Sequence, residues 1–510
     1  MILDPSVQTI YQLFIDSCKR HSERNAIFIN DTAYSYSQFL SIVSGIKKQI
    51  VQSGVDSKLI GIYTNEHVNT YASIWAIMSL GSAYVPINKK HPSDRIIGIT
   101  EDAGIKILLY AEESETIEEL KIKLKGKVHF ICTNTITDGA LDYSYNKIEG
   151  EDYIYLLFTS GSTGKPKGVP IRHKNVMALA KVHLLEPKYN ITKEDRFIQM
   201  FELTFDFSVL PTLFPFCAGA CVYIVPQEGI MYMEVLKILL DHQITVAYMV
   251  PSVINYLQPY YDQISLPDMK WSLFCGEALY EKSAAGWLKC TPNGKIINTY
   301  GPTEATVFMT EYFWEEATSE AFNGVIGIGK ALKEMGCVIL DENLKEVPQG
   351  DKGELCIYGP QTTTHYWNDE IKSKNSFIQI EHKNYKGQAY RTGDLCFENE
   401  KGNLLYCGRI DHQIKINGYR VELGEIEFHA KKFCGGNNLA AFTVKNKAGS
   451  TSIYMTIENF TQTENDLVKY LKENLPPYMI PEKIFSTPQL PLSLSGKTDR
   501  NKLTALYQEN

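Results

Sequence analysis

The sequence predicts an α/β fold. A large N-terminal portion of layered α/β subdomains, with a small β region appended, precedes a small α+β portion at the C-terminal end. Three observations carry this. Helical apolar spacing, a glycine and a short apolar strand recur in that order through the N-terminal portion. From about Gly324 the texture changes to short strands joined by Gly and Asn turns. After Arg409 a further stretch has strand and helix patterns of its own. Repeated helix–strand alternation calls for a largely parallel sheet, since each crossover helix returns the chain to run in the same direction.

Taken in order, Ser35 to Gly54 has apolar residues three and four apart and a closing Gly, which predicts a helix with its C-cap. SKLIGIYT follows as a buried strand. TYASIWAIMSLGSAYVPIN and RIIGITEDAGIKILLYA repeat the helix–Gly–strand order, and MEVLKILLDHQITVAYMVPS and KIINTYGPTEATV continue it. GCVILDENLKEVPQGDKGELCIYGP and ENEKGNLLYCGR predict an antiparallel β region. AAFTVKNK and STSIYMTIEN predict strands, and TENDLVKYLKENLP a helix.

At 510 residues the chain exceeds a single hydrophobic core, so two or three domains are expected. Its 44% hydrophobic and 22% charged fractions are those of an ordinary globular protein. A formal net charge of -8 argues against nucleic acid as a partner, because phosphate backbones demand a basic surface. No apolar run approaches the roughly 20 residues that span a bilayer. The start, MILDPSVQTIYQLF, lacks the basic n-region of a signal peptide. The 11 cysteines include no C-x-x-C pair, which predicts free, mostly buried thiols. These features together predict a cytoplasmic enzyme with no membrane partner.

Four stretches carry chemistry. In LLFTSGSTGKPKGVP a glycine turn after an apolar strand can aim several backbone N–H groups at an anion. Thr159, Ser160, Ser162 and Thr163 add hydroxyls, and Lys165 and Lys167 add charge. It is not a G-x-x-x-x-G-K-[ST] loop, because Gly161 and Gly164 stand too close together and Pro166 follows Lys165. A phosphate cradle is the reading, with a flexible polar linker as the alternative. In NTYGPTEATV, Tyr300 offers a flat face for a ring to stack on. Thr303 and Glu304 there offer oxygens suited to Mg²⁺, although the string could equally be a turn that caps a helix. In YRTGDL and GRIDHQIKINGYRVELGEIE, Asp394 could accept two ribose hydroxyls, beside Arg409, Asp411, Lys415 and Arg420. A solvated charged hairpin is the alternative there. In PLSLSGKTDR, Lys497 follows a Ser-Gly turn near the chain end, where an ordinary surface lysine would also be found.

In this order the four stretches resemble the superfamily of adenylate-forming enzymes: acyl-CoA synthetases, luciferase-like ligases and the adenylation domains of non-ribosomal peptide synthetases. The resemblance runs from YSYSQF and GSAYVPIN to Lys497 and is nearest to stand-alone D-alanine–D-alanyl carrier protein ligases. It implies an N-terminal core over residues 1–410 and a mobile C-terminal domain over 411–510, with Asp411 as the hinge. ATP and Mg²⁺ are the implied cofactors. Thr159, Ser160, Gly161, Ser162, Thr163, Gly164 and Lys167 would wrap the ATP phosphates. Asn298, Tyr300, Gly301, Asp394 and Arg409 would hold adenosine, with Tyr300 on the adenine and Asp394 on the ribose. Glu304 would hold Mg²⁺, beside Thr303. Lys497 would bridge the substrate carboxylate and the α-phosphate, and Lys415 would take its place for thiol transfer.

By the same resemblance Asp206, within FELTFDFSVL, would bind the α-ammonium of an amino acid, which a fatty-acid or aryl-acid activator would not require. A lone carboxylate in such an apolar run is costly to bury unpaired. Phe207, Leu210, Ser252, Leu273, Cys275, Gly276, Thr299, Val307 and Phe308 would line the pocket. None is charged, so a small or apolar side chain is expected. Cys275 matches a cysteine of the D-alanine ligases and points to D-alanine. Asn88, Asn417, His365-Tyr366 and Ser495 depart from the family's frequent residues without removing a catalytic group. The chain stops just after NKL, so the expected acceptor is the phosphopantetheine thiol of a separate carrier protein, with the ligase itself a monomer. From His412 onward 12 Lys and Arg stand against 10 Asp and Glu, a balance suited to an acidic carrier. The rival expectations are an acyl-CoA or aryl-acid ligase and a non-catalytic adenylate-binding protein.

Overall fold

The computed structural model describes residues 9–136, 139–161, 165–227, 229–410, 413–416, 418–435, 437–445, 451–491 and 498–508. The chain divides into two compact units. One comprises Met1–Lys89, Thr100–Leu157 and Gly168–Ile410; the other comprises Lys90–Ile99, Phe158–Lys167 and Asp411–Asn510.

The first unit is built on two sheets. Its strands in chain order are β1 (Asn25–Ile29), β2 (Thr32–Ser35), β3 (Leu59–Thr64), β4 (Ala83–Asn88), β5 (Ile107–Tyr110), β6 (His129–Cys132), β7 (Tyr153–Thr159) and β8 (Lys167–Arg172). There follow β9 (Arg196–Gln199), β10 (Cys221–Ile224), β11 (Val246–Met249), β12 (Trp271–Phe274), β13 (Lys295–Tyr300) and β14 (Thr310–Trp314). One sheet runs β6-β5-β3-β4-β7-β8. The other begins with the two-residue strand Lys330–Ala331 and continues β14-β13-β12-β11-β9-β10-β1-β2. From β13 to β1 each strand runs parallel to the next, while β14 and β2 flank this run antiparallel.

The predicted alternation is realised element by element. The helix Tyr36–Gln52 starts on Ser35, whose Oγ accepts from Gln38 N–H while the Gln38 side chain accepts from Ser35 N–H, a reciprocal cap. Phe39, Leu40, Val43 and Ile46 bury the stripe that the spacing marked. The helix Val68–Ser79 is buried on every side, and its Trp75 stacks on Phe14 with ring centroids 4.2 Å apart. Strands β3 and β4 are buried along their whole length, as parallel strands covered on both faces must be.

The texture change is also realised. Gly336–Leu340, Gly353–Tyr358, Phe377–His382, Tyr385–Glu398 and Leu404–Arg409 form an antiparallel five-stranded sheet, with a small core of Val338, Leu340, Cys356, Tyr358 and Ala389. In the second unit Leu439–Lys445, Thr451–Glu458 and Lys483–Thr487 make a three-stranded sheet. The helices Leu423–Phe433 and Glu464–Asn474 share its core through Ile426, Ala430, Leu467 and Leu471. All 11 cysteines are free thiols, and Cys132, Cys337 and Cys407 are the ones not fully buried. Among the described residues no helix is long and apolar enough to cross a membrane.

Candidate functional site

Most of the residues singled out in the first unit sit at or just past the C-terminal ends of adjacent parallel strands. Met249, Phe274 and Asn298 are paired in register across β11, β12 and β13, so these strands finish almost level. Beyond them come Ser252, then Cys275 and Gly276, then Thr299, Tyr300 and Gly301. Beyond β9 the chain returns at Asp206, which opens a single 3₁₀ turn leading into the apolar, wholly buried helix Val209–Ala218. Open α/β sheets bind ligands at such strand ends, because loops of several strands converge there over a rigid base.

Asp206 is only 7% exposed. Phe205 and Phe207 flank it in sequence, and the Phe207 ring packs on Phe201 and Tyr248. Burial, with the Tyr84 hydroxyl and the Asp206 carboxylate nearby, holds the Tyr155 phenol well above its usual value. The predicted wall residues Phe207, Leu210, Ser252, Leu273, Cys275, Thr299, Val307 and Phe308 are all buried, and Gly276 is half-buried. Ser252 N–H donates to Glu277 Oε2 at 2.9 Å, and Thr299 Oγ1 donates to Phe274 O at 3.0 Å, tying β13 to β12. Phe308 meets the His183 ring edge-on at 5.4 Å. Burial pulls His183 down to about 3, so this ring is neutral.

The turn after β13 is tight. A Cβ on Gly301 would lie 2.5 Å from Phe308 Cα, which no side chain could accept, so only glycine allows the two backbones to meet. Thr306 and Val307 both carry positive φ, +57° and +75°. A β-branched residue there is strained, at roughly 1–3 kcal/mol, and persists only where the surroundings enforce it.

Tyr300, Asp394 and Arg409 form one buried group. Asp394 and Arg409 are cross-strand partners; Arg409 Nη1 donates to Asp394 Oδ1 at 2.7 Å and Nη2 to Thr392 O at 3.1 Å. Tyr300 Oη donates to the other carboxylate oxygen. Burial, reinforced by Asp394, keeps the Tyr300 phenol well above its usual value and therefore a donor. Asn298 spends its amide on Ile326 O and Gly327 O, at 3.2 and 3.0 Å, which makes it a brace for the strand end. Glu304 is fully buried, and its Oε1 accepts from Tyr366 Oη at 2.6 Å. The Tyr390 hydroxyl lies 3.1 Å from that of Tyr366. Thr303 and Glu304 share one 3₁₀ turn, so two oxygen-bearing side chains stand together, a donor set that fits a hard cation such as Mg²⁺.

In the second unit a Cβ on Gly161 would fall 2.0 Å from Lys165 O, so only glycine lets the chain at 161 approach that carbonyl. Ser160 Oγ donates to Arg420 O at 2.6 Å, and Gly161 N–H donates to Glu425 Oε2 at 3.2 Å. Glu425 Oε1 pairs with Arg95 Nη1 at 2.6 Å, with side chains 0% and 7% exposed. A carboxylate thus accepts from the Gly161 amide, as an anion at a glycine turn can. Thr159 Oγ1 is buried with no hydrogen-bond partner among the described residues, a polar group that a phosphate oxygen would satisfy. Lys167 is buried, and Lys415 pairs in register with Arg420 on the hairpin Gln413–Ile416 and Tyr419–Glu422. Ser162, Thr163, Gly164, Asp411 and Lys497 lie outside the described residues.

Sequence reasoning does not assign Glu277, Gln361, Tyr366, Arg95 or Glu425 to the site. It marks Tyr366 only as part of an unusual His-Tyr pair, and the others reach their partners across long sequence separations that no local pattern shows.

Comparison with known proteins follows the same lines. The family described as AMP-binding enzyme matches residues 14–367. Bacitracin synthase 3 of Bacillus licheniformis is 32% identical over 508 residues, covering 98% of this chain and 8% of that protein. Zwittermicin A synthase ZmaJ of Bacillus cereus is 30% identical over 512 residues, covering 98% of this chain and 95% of that one. The chain thus spans less than a tenth of the first relative and nearly all of the second. Among solved structures, the Vibrio cholerae adenylation domain AlmE in complex with glycyl-adenosine-5'-phosphate aligns over the full length of both chains, with TM-score 0.86 at 24% identity.

Proposed function

Given that this chain belongs to the AMP-binding enzyme family, we propose that it is an ATP- and Mg²⁺-dependent amino-acid adenylating ligase, with D-alanine as its leading substrate. The substrate carboxylate attacks the α-phosphorus of ATP, the bond to the bridging oxygen breaks, and pyrophosphate leaves. The phosphopantetheine thiol of a separate carrier protein then attacks the acyl carbon of the resulting mixed anhydride, the bond to the phosphate oxygen breaks, and AMP leaves as the thioester forms.

The observation that carries this reading is Asp206. A carboxylate only 7% exposed, flanked by Phe205 and Phe207 where the chain opens a turn beyond a parallel sheet, supports an α-ammonium group as the ligand it meets. The absence of a charged side chain from the wall supports a small amino acid, and Cys275 supports D-alanine through the family resemblance.

The other roles follow from chemistry. Asp394, positioned by Arg409 and Tyr300, takes the ribose hydroxyls, and the Tyr300 ring takes the adenine. The loop from Thr159 to Lys167, with the buried Thr159 hydroxyl unpartnered among the described residues, takes the phosphates. Mg²⁺, held by Glu304 and Thr303, would supply the hard cation that offsets phosphate charge. Attack by one anion on another needs positive charge at the meeting point, the role proposed for Lys497. A C-terminal domain over 411–510, turning at Asp411, would exchange Lys497 for Lys415 between the two half-reactions. We place the enzyme in the cytoplasm as a monomer.

Amino-acid-dependent exchange of pyrophosphate into ATP tests this, with D and L amino acids run against fatty and aryl acids. Exchange with a small amino acid is expected. Exchange only with acids that lack an amine would replace the proposal with an acyl-CoA or aryl-acid ligase.

A further inference from the structure

Starting from the amino-acid pocket proposed above, we propose that Gln361 is a positioning residue for substrate selectivity: it clamps the strained turn that carries the pocket wall. Thr306 and Val307 stand consecutively at positive φ, and Val307 and Phe308 are wall residues. Nothing in their own side chains favours that backbone, since neither is Gly, Asn or Asp. The enforcement comes from a residue 53 positions on from Phe308.

Gln361 is fully buried and holds the turn from both sides. Its Nε2 donates to Phe308 O at 2.7 Å and reaches Ala305 O at 3.5 Å, so one amide spans the two ends of the strained pair. Its backbone carbonyl oxygen accepts from Thr306 Oγ1 at 2.6 Å. The strand side is pinned by Met309 N–H donating to Tyr300 O at 2.9 Å. The base is closed by Gly301 against Phe308 Cα. The next residues repeat the device: Thr363 N–H donates to Glu304 O at 2.8 Å, so the segment 361–363 binds both the pocket half and the Glu304 half of this turn.

A β-branched wall residue at positive φ cannot relax locally; freed from its clamp, it returns to negative φ and carries Val307 and Phe308 with it. A pocket meant for a small side chain then loses its fixed depth. Gln361 thus governs which side chain the pocket accepts without touching it, and its loss acts on discrimination more than on nucleotide binding.

The test is Gln361→Met, which keeps the volume and removes the donor. The ratio of kcat/KM for the best substrate over its analogue one methylene longer is read by pyrophosphate exchange, together with KM for ATP and the melting temperature. We expect the ratio to fall at least fivefold, KM for ATP to stay within threefold, and Thr306→Gly in the Gln361→Met background to restore at least half of the lost ratio. Thr306→Val, which removes only the hydroxyl bond, reads the same clamp should the first variant not fold; it is expected to lower the ratio about threefold. A ratio within twofold of the parent in these variants, with or without a lowered melting temperature, overturns the proposal. Because the ratio is measured on whichever acid class supports exchange, a wrong substrate class and a wrong role for Gln361 give different results.

Discussion

Tyr366 Oη donates to Glu304 Oε1 at 2.6 Å, and both side chains are buried. The bond joins the turn after β13 to a segment some 60 residues on, and it fixes the orientation of a carboxylate with no solvent to steady it. Tyr366→Phe removes only the donor. Leaving a buried carboxylate short of a partner costs about 1–3 kcal/mol. We expect a lower melting temperature together with a rise of about tenfold in the Mg²⁺ concentration needed for half-maximal exchange. An unchanged Mg²⁺ dependence would separate Glu304 from the metal.

Arg409 and Asp394 form a buried pair, with side chains 12% and 9% exposed. Removing one partner strands the other, at a cost of about 3–5 kcal/mol. Arg409→Ala should therefore destabilise the first unit in denaturant titration and raise KM for ATP, with a smaller effect on KM for the amino acid. Asp394→Asn, which stays neutral beside Arg409, should raise KM for ATP as well.

Arg95 and Glu425 are coupled in the same sense within the second unit. Each single change to alanine should destabilise by about 3–5 kcal/mol, and the double change by clearly less than their sum. Additive losses in a double-mutant cycle would show that the pair contributes nothing as a pair.

His173 and His183 are held neutral by burial, near 4 and 3 respectively. Their folded pKa values are depressed, so the unfolded chain binds protons first, and stability is intact above about 6.5 and falls as the pH drops toward 4. At pH 5 each contributes a loss of about 2 kcal/mol. The midpoint in denaturant should fall between pH 7.5 and 5, and His183→Gln should flatten that slope.

The elements that periodicity and turn glycines specify were legible, among them the capped helix Tyr36–Gln52, the buried strands β3 and β4, and the antiparallel strands after Gly324. Turn signals marked Tyr300, Asp394 and Arg409 only singly; that their side chains meet leaves no local pattern, because Tyr300 bonds to Asp394 across 94 residues. The positive φ at Thr306 and Val307 was not legible, because local chemistry would assign such a backbone to glycine or asparagine and the enforcing bonds come from Gln361. Nor was the pairing of β1 with β10, which joins an N-terminal hairpin to a strand formed nearly 200 residues later. Contacts at that separation leave no periodic trace.

Asp206 carries the central claim, and the most direct measurement compares the best amino acid from the exchange panel with its deaminated analogue, in the parent and in Asp206→Asn. The two acids differ only by the ammonium group that Asp206 is proposed to hold. The parent should exchange with the amino acid at least a hundredfold faster, and Asp206→Asn should lose most of that advantage. Equal exchange with both acids in the parent, or an advantage untouched by Asp206→Asn, would contradict the account.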